Sequence, residues 1–84
     1  MIIIGAEMGI DDHAEKARWR MIKDLIVNHL PDDMQESWRE HGFEGIFSTA
    51  PKYFGMNRMY RGENSWVTFE FTEQEWLMFS LRWL

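Results

Sequence analysis

The sequence predicts a small α+β domain: a short N-terminal strand, two helices, an antiparallel β-hairpin and a closing C-terminal helix. Three observations carry this. The stretch Ser65 to Leu84 reads as a strand that runs straight into a helix. A wide apolar arc of helical period spans Asp12 to Leu30 and stops at Pro31. Two strand-like stretches flank Gly62-Glu63-Asn64, a turn signal. At 84 residues the chain is one domain, 1–84, too short for two separate cores.

Met1-Ile2-Ile3-Ile4 is a short apolar run rich in β-branched residues, which favours a strand. Gly5 to Gly9 reads as a loop. It has neither G-x-G-x-x-G nor Gly-Lys-Ser/Thr, so it is not a phosphate loop.

Asp12-His13-Ala14-Glu15 has the spacing of a capping box and opens the first helix. Pro31 disfavours helical geometry at Leu30 and ends it there. At 100° per residue Ala14, Ala17, Trp19, Met21, Ile22, Leu25, Ile26 and Leu30 share one arc, with Lys16, Arg20, Lys23 and Asp24 opposite. Glu15, Arg18 and His29 intrude on the apolar arc. Glu15 and Arg18, three apart, are spaced to pair.

Asp32 and Asp33 open a second helix, Met34 to His41, so that Pro31 and Asp32 alone join the two in a tight corner. Gly42 is placed to end it in a left-handed conformation, with Phe43 packing back on Trp38. Gly45 to Gly55 is punctuated by Ser48, Thr49 and Pro51 and reads as loop, with a short strand at Ile46-Phe47.

Met56 to Arg61 forms the first hairpin strand. With a three-residue turn, Tyr60 lies opposite Trp66, Arg58 opposite Thr68, and Met59 opposite Val67 on the core side. In the second strand Val67, Phe69 and Phe71 point to the core, while Trp66, Thr68 and Glu70 point to water or a partner. Thr72-Glu73-Gln74-Glu75 is a capping box, worth about 1 kcal/mol through Thr72, and Phe71 with Trp76 forms a hydrophobic staple. Trp76, Leu77, Phe79, Leu81, Trp83 and Leu84 then surround the last helix with apolar groups. Such a helix is either central to the fold or offers one side to another chain.

Composition narrows the function classes. The chain has no cysteine, which excludes disulfides, thiolate metal sites and cysteine nucleophiles. A net charge of −5 weighs against broad nucleic-acid binding. Asp11, Asp12, His13, His29 and His41 match no zinc or calcium spacing, so no metal is expected. No nucleophile–base–orienter set is visible, so no catalytic residues and no cofactor are expected. With no basic leader and no apolar run of about 20 residues, the expectation is a cytoplasmic protein without a membrane segment.

The candidate site is the outer face of the hairpin. Arg58, Tyr60, Arg61, Trp66 and Thr68 combine arginine with aromatics, the composition of protein-binding hot spots. The expected function is a non-catalytic protein-binding module, an inhibitor or adaptor of another protein. Small, acidic, cysteine-free, aromatic-rich domains of this kind are the sort that phages and mobile elements encode against host proteins. Two alternatives follow from other residues. Lys52, Tyr53, Arg58, Tyr60 and Arg61 could stack bases and hold phosphates. The apolar C-terminal helix could be a homodimer interface. Asp32, Asp33, Glu36 and Glu40 line one side of the second helix, an acidic face that could mimic nucleic acid but is explained by solvation alone.

Overall fold

The computed structural model describes residues 1–5, 13–62 and 66–84, with side chains described for all of these except 13–15. Its elements in order are β1 (Ile2–Ile4), α1 (His13–Asn28), α2 (Asp32–His41), a 3-10 helix (Gly42–Ile46), α3 (Ala50–Phe54), β2 (Arg58–Arg61), β3 (Val67–Phe71) and α4 (Glu73–Trp83). The fold is α+β. The three strands form one antiparallel sheet in the order β1-β3-β2, so the second hairpin strand is central.

Ile4, Met59, Val67, Phe69 and Phe71 of the sheet join Trp19, Ile22 and Ile26 of α1 and Phe79 of α4 in one buried cluster. On α1 the buried side is narrower than the predicted arc. Trp19, Ile22 and Ile26 are buried, as is Leu30 in the corner that follows, but Ala17 and Met21 face solvent. Trp19 explains the rotation, because its indole N–H donates to the Val67 carbonyl at 2.7 Å and fixes which side of the helix meets the sheet. His29 is exposed at the helix end, with its ring 5.3 Å from that of Trp83. The expected cap at Asp12 lies outside the described residues, as does the Glu15 side chain of the Glu15–Arg18 pair. Arg18 sits 5.9 Å from the Trp76 ring.

The corner between α1 and α2 comprises His29 to Pro31, and α2 begins two residues before the predicted start. Asp32 and Asp33 occupy its first turn, where the helix dipole favours negative charge, and Pro31 caps it without a side-chain bond. Gly42 ends it at φ 66°, with its N–H on the Trp38 carbonyl. Phe43 does pack on Trp38, edge to face at 4.7 Å.

The segment expected to be loop with a strand at Ile46-Phe47 is instead helical. A 3-10 turn carries Gly42 to Ile46, and α3 follows. Pro51 stands at the start of α3, where its missing N–H is harmless. Gly55 stops it in the left-handed region, and the N–H groups of Gly55 and Met56 both reach the Pro51 carbonyl. Five residues are too few to show a helical period, although Ala50, Pro51 and Phe54 are all buried. Because this cap takes up Met56, β2 begins at Arg58 rather than Met56.

The hairpin register is shifted from the predicted one. Arg61 pairs with Val67, Tyr60 with Thr68, Met59 with Phe69 and Arg58 with Glu70. The Gly62 N–H donates to the Trp66 carbonyl, so residues 63–65 connect the strands and lie outside the described residues. The shift is two residues along β3, and an even shift leaves every side chain on its predicted side.

The start of α4 forms as its sequence dictates. Thr72 Oγ1 accepts from the Glu75 N–H, Glu75 Oε1 accepts from the Thr72 N–H, and Phe71 meets Trp76 at 5.1 Å.

Candidate functional site

Two surfaces are candidates: the outer side of the hairpin and the outer side of α4. On the hairpin, the register sets Ile3, Arg58, Tyr60, Thr68 and Glu70 on one side of the sheet. The centre of that side is closed, contrary to expectation. Thr68 is buried and Glu70 is only 7 % exposed, because β3 has a neighbour on each edge. Thr68 lies against Gly5, where an added Cβ would meet its hydroxyl at 3.1 Å.

Glu70 is the anchor of this side. Its Oε2 accepts from Asn57 Nδ2 at 2.6 Å and from Arg58 Nε at 3.0 Å. A buried carboxylate needs such partners, since an unpaired one is costly to desolvate. Arg58 also lies over the Tyr60 ring at 4.1 Å. Its guanidinium is therefore committed within the fold, and its first role is structural. Trp66, 37 % exposed, turns its ring toward α1 and meets Trp19 edge to face at 5.2 Å.

Of the five predicted site residues, the structure brings Arg58, Tyr60 and Thr68 together and sets Trp66 at the end of their row. Arg61 does not join them. Alternation along β2 sends it to the other side, where Nε donates to Glu44 Oε1 at 2.6 Å. The Glu44 carboxyl is held below its ordinary range, first by its own backbone N–H and then by Arg61. Lys52 and Tyr53 lie on α3, and Tyr53 packs on Phe54 and faces Trp83. The basic stretch is thus divided among three places, and two of its three cations are ion-paired.

The second surface is the outer side of α4. Trp76, Phe79 and Trp83 turn inward, toward Phe71, Phe54 and His29. Leu77, Met78, Leu81 and Leu84 turn outward and are 58, 60, 75 and 53 % exposed. Their spacing of one, four and seven residues from Leu77 makes a single stripe. Glu75 and Arg82 flank it on one side, two turns apart. An all-round apolar helix was the sequence signal for this surface. Met78 was the member that sequence reasoning missed, because a methionine beside Phe79 reads equally well as core.

No protein-family model, curated protein or solved structure matches this chain. Its chemistry is therefore read from its own residues. Among the described residues no three of the His, Asp and Glu side chains gather as metal ligands would, and no helix is long and apolar enough to cross a membrane.

Proposed function

We propose that this chain is a non-catalytic protein-binding module, an inhibitor or adaptor, that docks through the outer side of α4. The observation that carries this reading is the stripe of Leu77, Met78, Leu81 and Leu84, each more than half exposed on one helix. A contiguous apolar patch on so small a domain is the usual mark of an interaction site. Leucine and methionine side chains also suit a helix-in-groove or helix-on-helix contact.

The hairpin side is the lesser candidate. Its exposed aromatic, Trp66, is a suitable anchor, but Arg58 already serves Glu70. The nucleic-acid alternative is weakened for the same reason. Arg58 and Arg61 hold carboxylates within the fold, and the net charge is −5.

The test is capture from lysate of the natural host by the chain and by its Leu77→Glu/Leu81→Glu variant, with mass spectrometry of what is retained. A stoichiometric protein held by the first and lost by the second, with circular dichroism unchanged, supports the reading. Equal retention by both would move the contact away from α4.

A further inference from the structure

We infer that the α4 stripe is self-complementary and that its partner is a second copy of this chain, packed antiparallel about a two-fold axis. The inference rests on the reading of α4 as the docking surface and names its occupant. The order of residues along the helix carries it. Leu77 and Leu81 lie symmetrically about a point near Met78 and Phe79, and so do Glu75 and Arg82. When a second α4 runs the other way across that point, Leu77 of each copy meets Leu81 of the other. Glu75 of each copy then stands beside Arg82 of the other.

Both charges lie on the same flank of the stripe, which is what a two-fold axis perpendicular to the helices requires. Such an axis keeps each flank beside its own counterpart and reverses only the direction along the helix. Antiparallel packing therefore makes two reciprocal Glu75–Arg82 pairs. Parallel packing, about an axis along the helices, would carry this flank to opposite sides of the pair and leave Glu75 and Arg82 of each copy without each other. Glu75 already accepts the Thr72 N–H in the capping box, and a carboxylate has acceptor capacity beyond one bond. Antiparallel packing also opposes the two helix dipoles.

The contact is small. Eleven residues of helix span about 16 Å. A single helix of that length covers less than the roughly 800 Å² per side of a standard interface, and weak association in the micromolar range is expected.

Sedimentation velocity and cysteine cross-linking test the inference together. The natural chain is expected to shift from 10.2 kDa toward twice that mass across the micromolar range. Leu81→Glu is expected to remain monomeric with unchanged circular dichroism. Arg82→Glu is expected to raise the dissociation constant by about tenfold or more, the effect of replacing attraction by repulsion in two symmetric pairs. The chain has no cysteine, so an introduced one reports without background. Met78→Cys sits close to the axis and is expected to cross-link between copies on mild oxidation. Leu84→Cys lies far from its counterpart and is expected not to.

A strict monomer throughout that range overturns self-pairing. If Leu77→Glu/Leu81→Glu still abolishes capture of a different protein, the docking role of α4 then survives without it. Dimerisation unaffected by Leu81→Glu also overturns the inference, since the contact then lies elsewhere. Equal cross-linking at Met78→Cys and Leu84→Cys would show a parallel pair and overturn the register.

Discussion

Trp19 in the middle of α1 donates its indole N–H to the carbonyl of Val67 at the head of the central strand, at 2.7 Å. The same ring meets Trp66 edge to face and lies 6.3 Å from Phe69. One side chain thus sets the azimuth of α1 on the sheet. Trp19→Phe keeps most of the apolar bulk and deletes the donor. It is expected to destabilise by about 1–3 kcal/mol, the cost of a buried polar partner lost. Urea unfolding at constant m-value checks this, and a change below the error of the midpoint would show the bond to be dispensable.

Arg58→Ala takes from the buried Glu70 carboxylate the charged one of the two donors on its Oε2 and leaves Asn57 Nδ2. Breaking a fully buried ion pair costs about 3–5 kcal/mol, whereas the Arg58 side chain is largely in solvent and its share is screened. The expected loss is about 1–2 kcal/mol by thermal or urea unfolding, partly recovered by adding Glu70→Gln. Binding tests on the hairpin side therefore belong to Trp66→Ala, because a combined Arg58→Ala change would mix stability with recognition.

Two neighbours on α4 are expected to behave oppositely. Phe79 is buried against Phe71 and Trp76, and Phe79→Ala is expected to cost about 3–5 kcal/mol. Leu81 points away from the domain, and Leu81→Ala at high dilution is expected to change stability by less than about 0.5 kcal/mol. Chemical denaturation of the pair at one low protein concentration decides this. A large loss at Leu81 would mean that the monomer itself uses the stripe.

Glu44 links pH to stability. Its pKa is lowered in the folded chain, so its contribution is present above the ordinary carboxylate range and disappears as pH falls through the lowered value. An NMR titration of the Glu44 side chain is expected to find its midpoint below the usual range. Arg61→Gln is expected to raise that midpoint without restoring it fully, because the Glu44 backbone N–H, the larger cause, remains. A midpoint that ignores Arg61→Gln would remove the ion pair from the account.

Local signals were legible and long-range ones less so. The capping box at Thr72 and Glu75, the staple of Phe71 on Trp76 and the Gly42 terminus with Phe43 on Trp38 all depend on residues within one or two turns. Their chemistry is written in order along the chain. The hairpin sides were readable because alternation survives an even shift of register. The register itself was not, since Gly62-Glu63-Asn64 and residues 63–65 serve equally as a three-residue turn. Glu70 escaped as a buried group for that reason. Its donors, Asn57 and Arg58, come into reach only in the observed pairing. The short α3 was hidden by its length, and Met21 by a wide arc that no neighbour in sequence could narrow. On the hairpin Arg58, Tyr60 and Thr68 lie on the side of the sheet that alternation predicts, and Arg61 lies on the other, as its own parity indicates.

The pairing of Ile2 with Phe71 and Ile4 with Phe69 closes the sheet across most of the chain. It therefore also orders events in time. During synthesis β1 leaves the ribosome early, yet its hydrogen-bonding edge has no strand to meet until β3 has followed. The sheet cannot grow along with the chain. Pulse-labelled hydrogen exchange is expected to show Ile4 and Phe69 gaining protection together, later than the amides inside α1.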